Sequence, residues 1–343
     1  MRALAETEKP LDGDVWFWTD DNAKALEAYL VPEAYARYQD IADSLLSFVR
    51  RMSEGPVILR RIAKPALNVQ SENPDNFRVG TGLMTFHGNL RRDEVAISYR
   101  FHDGRDVDAV KLTGNWIRFD LGGRRYQFNL KDSITSARLA RRDGLVILEH
   151  VSEFAVSGGA VARATYSYTI DPALTRLVLD ISVEALNGAT LRNVQVTSAM
   201  DQLSELPREV SYQRFCAMRG GDLSCRDAAA EARISLAKGG LDWYSLIQLG
   251  NLGFSYAVHT QVMAPDRLAE VVAEGSRNNQ FGRVYSVYGM GDVDETASGQ
   301  IREAKLLTSG GLYRSMEAYG ELIRNSGNSP GIDLVLRTSM APS

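Results

Sequence analysis

The segment Val-Ala-Ile-Ser-Tyr-Arg-Phe-His, residues 95–102, decides the fold. Its large apolar side chains stand at every second position, and small or polar side chains stand between them. A period of two is typical of a strand that packs one face on a core. Residues 177–184, Leu-Val-Leu-Asp-Ile-Ser-Val-Glu, repeat this pattern. Both segments predict half-buried β-strands.

Similar runs of residues extend through most of the chain on both sides of these segments. They lie at 116–119, 126–130, 145–156, 162–170, 191–199, 254–262 and 283–288. Turn residues separate them, and Asp143-Gly144 and Asn187-Gly188 are the strongest hairpin signals. Ten or more strands at hairpin spacing predict a mostly β protein with a large antiparallel sandwich.

The two ends of the chain have helical rather than strand periodicity. Apolar residues three and four apart predict an N-terminal helical pair over 20–54, broken at Pro32, and a C-terminal helix over 311–325. We see no internal repeat or flexible linker. The expected domains are therefore residues 1–56, a helical pair packed on the sandwich, and residues 57–343, the sandwich with its late helix.

Composition excludes several classes of protein. The chain has 343 residues, with 39 basic and 43 acidic side chains, so it has no bulk attraction for nucleic acid. No apolar stretch approaches the length of a membrane span. Residues 1–14 lack the apolar core of a signal peptide. The sequence as it stands predicts a soluble cytoplasmic protein, or a periplasmic or secreted one if a signal peptide has been removed.

Metal and cofactor motifs are absent from the sequence. The four histidines form no zinc-hydrolase spacing, and we find no P-loop or dinucleotide-binding fingerprint. We therefore expect neither a metal nor a cofactor. The two cysteines, Cys216 and Cys225, are near enough to close a loop as a disulfide in an oxidising compartment, or they remain free thiols.

One strand carries a row of polar side chains. Ser98, Arg100 and His102 share a face and are spaced by about 6.6 Å, which suits the recognition of sugar hydroxyls or a carboxylate. The alternative is a solvated outer surface. Glu149 and His150 are also candidates, but adjacent strand residues point to opposite faces, so at most one of them faces a groove. Glu149 could equally be a paired carboxylate at a rim.

Aromatic side chains could supply the flat surfaces on which sugar rings stack. The alternative use of such side chains is core packing. The candidates for stacking are Trp18, Trp116, Tyr285 and Tyr288.

The order of elements resembles the β-supersandwich of the galactose-mutarotase-like superfamily over residues 57–340. Residues 18–23, Trp-Thr-Asp-Asp-Asn-Ala, also resemble a stretch found in some helical-toroid carbohydrate enzymes. The resemblance implies a carbohydrate ligand on a concave sheet, where epimerases use a histidine acid and a glutamate base. The chain is too short to contain a toroid.

Two functional hypotheses follow. In the first, the protein is an enzyme with hydrolase, lyase or epimerase chemistry on a poly- or oligosaccharide. In the second, it is a non-catalytic glycan-binding or assembly subunit of polysaccharide production or turnover. An enzyme needs two titratable groups facing one pocket, whereas a binding module needs aromatic and amide groups. The candidate catalytic residues are Asp20, Asp21, His102, Glu149 and His150. The sequence does not indicate the oligomeric state.

Overall fold

The computed structural model describes residues 39, 42, 67–81, 84–100, 106–171, 176–202, 210–220, 222–228, 232–250, 255–276 and 280–309. The chain divides into two units, Met1–Lys64 and Pro65–Ser343. The domain boundary expected from sequence, between residues 56 and 57, stays a prediction.

The described part of the second unit is built of strands. In chain order they are β1 (Asn68–Ser71), β2 (Phe77–Gly80), β3 (Met84–Asn89), β4 (Glu94–Arg100), β5 (Asp106–Leu112), β6 (Trp116–Leu121), β7 (Arg124–Asn129), β8 (Ile134–Arg142), β9 (Leu145–Val156), β10 (Gly159–Asp171), β11 (Arg176–Ala185), β12 (Leu191–Gln202), β13 (Val210–Arg219), β14 (Asp222–Asp227), β15 (Ile234–Lys238), β16 (Trp243–Gly250), β17 (Ser255–Val262), β18 (Leu268–Ser276), β19 (Gln280–Val293) and β20 (Gly299–Ser309). Two short 3-10 turns lie at Leu90–Arg92 and Leu130–Asp132.

The strands form two antiparallel sheets. Sheet A has 11 strands in the order β1-β2-β3-β4-β5-β12-β19-β18-β15, with β6 pairing with both β12 and β7. Sheet B has nine strands in the order β14-β13-β16-β17-β20-β11-β10-β9-β8. The mostly β, antiparallel architecture predicted from the period of two is confirmed. Of the two predicted hairpin turns, Asp143-Gly144 joins the paired strands β8 and β9. Asn187-Gly188 is a turn with φ of 53° and 73°, but it joins β11 of sheet B to β12 of sheet A, so the hairpin predicted there is wrong.

One hydrophobic core lies between the sheets. It joins residues of sheet A, such as Phe86 and Ile97, to residues of sheet B, such as Tyr166 and Ile181. Strand β10 buries every second side chain on this inner face, and the residues between them are partly exposed. Apolar burial on this inner face drives the association of the two sheets.

A buried polar network crosses this core. Lys305 Nζ on β20 lies 2.8 Å from Glu303 Oε1 and donates to Thr260 Oγ1 at 3.3 Å. From sheet A, Ser198 donates a hydrogen bond to Glu303 Oε1, and the Tyr288 hydroxyl donates to Glu303 Oε2 at 2.8 Å. Burial and the nearby carboxylate of Glu303 raise the pKa of Tyr288 well above its usual value, so the phenol stays protonated and donates.

The predicted helices are not tested over most of their length. Gln39 and Ala42 are helical and lie within the predicted helical pair, and the remaining residues of that pair lie outside the described residues. The predicted C-terminal helix over 311–325 also lies outside them. Within the described part of the chain, no helix has the length and apolar character needed to span a bilayer.

The two cysteines form a disulfide. Cys216 on β13 and Cys225 on β14 lie directly opposite each other across the hairpin and are bonded. Cys216 is buried and Cys225 is exposed. Of the two states left open by the sequence, the structure has the disulfide.

Candidate functional site

The outer face of sheet A, the face turned away from sheet B, differs from an ordinary solvated surface. On the outer face of sheet B, strands β9 and β10 present partly exposed residues at every second position. In sheet A, by contrast, residues 284–288 of β19 are all buried, although their side chains alternate between the two faces. The outer face of sheet A therefore holds covered residues outside the sandwich core.

An aromatic pair lies at the centre of this outer face. The rings of Trp116 and Tyr285 meet edge to face, with centroids 6.4 Å apart and an interplanar angle of 75°. Three small apolar side chains surround Tyr285 and complete a second hydrophobic cluster, separate from the core: Ala199, Val272 and Val287. Tyr285 is only 4% exposed, whereas Trp116 is half-buried. The indole therefore offers the accessible part of the cluster.

Arg118 holds its guanidinium over the indole. The centre of the guanidinium lies 4.6 Å from the Trp116 ring centroid, within the range of a cation–π contact. Its Nε and Nη2 both donate to Gln127 Oε1, at 3.0 and 2.6 Å. These contacts fix the orientation of a half-buried cation beside the aromatic pair.

A row of three charged residues crosses the same face. Asp201, Arg283 and Glu274 lie directly opposite one another on β12, β19 and β18. Arg283 donates from Nε and Nη2 to the two carboxylate oxygens of Asp201, at 2.5 and 2.8 Å. This hydrogen-bonded pairing raises the pKa of Arg283. The two side chains are 34% and 25% exposed, so the row is reachable but partly desolvated.

The phenol of Tyr285 links this row to a further cation. The Tyr285 hydroxyl donates to Glu274 Oε1 at 3.4 Å and accepts from Arg233 Nε at 3.3 Å. The hydrogen bond to Tyr285 raises the pKa of Arg233. Positively and negatively charged groups therefore surround the aromatic pair.

Gly114 makes room for the Arg283 guanidinium. Its φ is +74°, and a Cβ added there would lie 2.6–2.9 Å from three guanidinium atoms. Any larger residue at this position would therefore be strained and would also push Arg283 away from Asp201.

A second polar group lies further along the outer face. His87 Nε2 on β3 is 2.9 Å from Asp108 Oδ1 on β5. The hydrogen bond from His87 is the main cause that lowers the pKa of Asp108. His87 and Asp201 belong to one cross-strand row, through Ala96 and Lys111. Three strand spacings of about 4.8 Å separate them, or roughly 14 Å.

The structure brings some of the predicted site residues to this face. Trp116 and Tyr285 come together in the aromatic pair described above. Ser98 lies on the outer face, as alternation predicts, but it is fully buried and donates to the Thr85 carbonyl rather than meeting solvent. The backbone of Arg100 ends β4, and its side chain lies outside the described part.

Other predicted residues lie elsewhere. Tyr288 points to the inner face, since an odd separation from Tyr285 places the two on opposite sides of β19, and it bonds Glu303 in the core. It therefore offers no stacking surface to the outer face. Four further candidates lie outside the described residues: Trp18, Asp20, Asp21 and His102.

Glu149 and His150 point to opposite faces of β9, as their adjacency predicts. Glu149 is partly exposed, with Oε1 2.7 Å from Arg138 Nε, which is the paired-carboxylate arrangement considered as the alternative. His150 is fully buried and stacks on Tyr166 at 5.4 Å, with Nε2 3.3 Å from Asp93 Oδ1. Neither residue belongs to the outer face of sheet A.

The sequence does not identify several residues of the outer face as candidates: His87, Asp108, Arg118, Asp201, Arg283 and Glu274. The period of two through Phe281, Arg283 and Tyr285 could have assigned Arg283 to the face of Tyr285. The pairing of β12 with β19, which are distant in the chain, has no such signal. Within the described residues, no group of three or more histidine, cysteine, aspartate or glutamate side chains is arranged to hold a metal ion.

Comparisons with known proteins find similarity in structure alone. No protein-family model and no curated protein matches the sequence. The alpha-N-acetylgalactosaminidase NagBb from Bifidobacterium bifidum, in a complex with GalNAc, has a TM-score of 0.51 and 10% identity, covering 73% of this chain and 39% of that chain.

Two smaller proteins are also similar. A galactose mutarotase-like protein from Lactobacillus casei has a TM-score of 0.47 and 8% identity, covering 68% of this chain and 99% of that chain. A GalM/aldose epimerase homologue from C. elegans has a TM-score of 0.42 and 8% identity, covering 72% of this chain and 100% of that chain. At such identities the likeness concerns the fold. The described sheets thus share the fold of the matched part of the NagBb structure, and proteins named galactose mutarotase-like and aldose epimerase homologues are among the structural neighbours, as the sequence resemblance predicts.

Proposed function

We propose that the protein binds a poly- or oligosaccharide on the outer face of sheet A. The observation that carries this proposal is the aromatic pair Trp116–Tyr285, flanked by the hydrogen-bonded row of Asp201, Arg283 and Glu274. Sugars present an apolar ring face and a rim of hydroxyls, so an aromatic surface beside charged hydrogen-bonding groups matches both. The fold likeness to an enzyme named as an alpha-N-acetylgalactosaminidase supports a carbohydrate ligand.

Binding without catalysis is the form that the described residues support best. Five strand spacings, roughly 24 Å, separate His87 on β3 from Glu274 on β18, so these two groups cannot act on one bond. A glycan-binding or assembly subunit of polysaccharide production or turnover needs no such pair.

A second candidate is acid–base chemistry on the same face, favoured by the His87–Asp108 pair. The carboxylate of Asp108 fixes the imidazole, and a fixed imidazole can accept or donate a proton. β4 lies between the strands of His87 and Asp108. The row proposed from sequence begins on β4 with Ser98 and Arg100, and His102 follows that strand in the chain. Incubation with glycan pools followed by product analysis distinguishes the candidates. A new product supports the enzyme, and glycans recovered unchanged support the binding module.

Substitution of Trp116 tests the proposed site. Trp116→Ala removes the accessible aromatic surface, and we expect it to weaken glycan binding by about tenfold in calorimetry. Tyr126→Ala is the matched control, because Tyr126 is a half-buried aromatic of the neighbouring strand β7 that packs with Phe119 and Phe128. It should leave affinity within about twofold. Equal affinity in wild type and Trp116→Ala, with both folded by circular dichroism, would place the ligand elsewhere.

We further propose a periplasmic or secreted location. The Cys216–Cys225 disulfide supports it, since such bonds persist in oxidising compartments and are rare in the cytosol. Peptide mapping without reductant, on protein isolated from its native cells, should recover the two cysteines as one linked peptide. Two free thiols would favour the cytoplasm instead.

A further inference from the structure

We propose that the ligand of the outer face is an anionic sugar and that Arg118 binds its carboxylate or phosphate group. This inference rests on the proposed carbohydrate function and adds the class of sugar. It follows from the charge of Arg118, the orientation of its guanidinium and its place beside the aromatic pair.

The charge of Arg118 is not balanced by a carboxylate within the described residues. Its two partners there are the amide of Gln127 and the ring of Trp116, and both are neutral. The other cations of the face differ. Arg283 is paired with Asp201, and Arg233 donates to the Tyr285 hydroxyl, with smaller contributions from the carboxylates of Glu270 and Glu274 that also raise its pKa. A half-buried cation paired with neutral groups alone attracts an anion more strongly than one that is already neutralised.

The guanidinium also has donors available at its outer edge to bind an oxyanion. Of its five N–H donors, one on Nε and one on Nη2 are directed to Gln127 Oε1. Both hydrogens of Nη1 and the second hydrogen of Nη2 therefore have no partner among the described residues. These donors form the end of the planar fork, which matches the two oxygens of a carboxylate or phosphate.

The position of Arg118 joins this anion site to the rest of the face. Its contact with Trp116 at 4.6 Å holds the guanidinium against the aromatic pair, where we propose that the sugar binds. A sugar whose anionic group meets Arg118 can thus present its ring and hydroxyls to Trp116 and the charged row. Because the indole and Gln127 already fix the guanidinium, little side-chain freedom is lost on binding.

The test compares glycans that are matched in length but differ in charge, and two protein variants that each lose one positive charge. A glycan array carrying neutral, uronate-containing and phosphorylated glycans of equal length identifies the preferred anion, and calorimetry measures the glycans bound best. We expect anionic glycans to be preferred and Arg118→Gln to weaken their binding about tenfold or more, with neutral glycans affected less than twofold.

Arg125→Gln is the matched control. Arg125 lies on the same β6–β7 hairpin, and its substitution removes the same charge. Its guanidinium, however, is already paired with Asp120 at 2.9 Å. We expect this variant to stay within about twofold of wild type. If both variants weaken binding equally, general attraction explains the preference and the Arg118 site is wrong.

The remaining outcomes separate this inference from the function on which it rests. Preference for neutral glycans overturns the anionic class while the carbohydrate function stands. Absence of binding to every glycan overturns the carbohydrate function and this inference with it. Preference for uronates or for phosphates supports the inference and identifies the anion.

Discussion

Replacing Glu303 by alanine is expected to lower the free energy of unfolding by about 3–5 kcal/mol. Glu303 and Lys305 are both inaccessible to solvent, and the carboxylate accepts from Ser198 and Tyr288 as well as from the ammonium. Burial alone would lower the pKa of Lys305, but the Glu303 carboxylate reverses the shift and the pKa is raised. Removing that carboxylate leaves a buried cation without its counter-ion. Urea unfolding at neutral pH measures the loss.

Two further variants make this prediction specific. Glu153→Ala also removes a carboxylate bonded to an arginine, Arg163 at 2.7 Å, but at a partly exposed site on sheet B. Its expected cost is below about 1 kcal/mol. The double variant Glu303→Leu with Lys305→Met removes both charges together and should be more stable than Glu303→Ala. A cost for Glu303→Ala as small as that for Glu153→Ala would contradict the buried ion pair.

Acidification from pH 6.5 to 4 is expected to remove roughly 3 kcal/mol of stability through His259. Burial lowers the pKa of His259 from 6.5 to about 4, and Ser245 Oγ lies 2.6 Å from its Nδ1. Between these two pKa values the unfolded chain binds a proton that the folded protein does not. The contribution of His259 to the free energy of unfolding is therefore largest above pH 6.5 and declines as the pH falls toward 4.

Unfolding experiments at several pH values measure this dependence. The variant His259→Asn cannot bind that proton, so its free energy of unfolding should change less than that of wild type between pH 6.5 and 4. It should be less stable than wild type at pH 7, where the buried imidazole is neutral and packed against Trp243. Parallel curves for the two proteins would mean that His259 is already accessible to protons in the folded state.

The strands could be predicted from sequence because burial on one side of a sheet leaves a period of two. Residues 177–184 and the Asp143-Gly144 turn are examples, since β11 contains the first and the β8–β9 hairpin contains the second. This local signal cannot specify which strands become neighbours. The row of Asp201, Arg283 and Glu274 depends on the pairing of β12 with β19, whose residues Asp201 and Arg283 are 82 positions apart, so no spacing within the chain reveals it.

The burial of polar residues inside the sandwich could not be predicted from sequence for another reason. On β20 the side chains of Ile301, Glu303 and Lys305 share the inner face. Charged residues at alternate positions normally mark a solvated surface. The serine and tyrosine that donate to Glu303 come from β12 and β19 of the other sheet. The core role of Glu303 could therefore be recognised only when the two sheets are seen together.

The place of β20 has a consequence for the synthesis of the protein. It is the last strand in the described part of the chain, yet it lies inside sheet B, between β17 and β11. Until it leaves the ribosome, β17 and β11 are unpaired edges, and open edges are sites of aggregation. At about 5–20 residues per second, the roughly 120 residues between the end of β11 and β20 take some 6–25 seconds to make. Throughout this interval β11 keeps an open edge, and sheet B can close only after residue 309 has emerged.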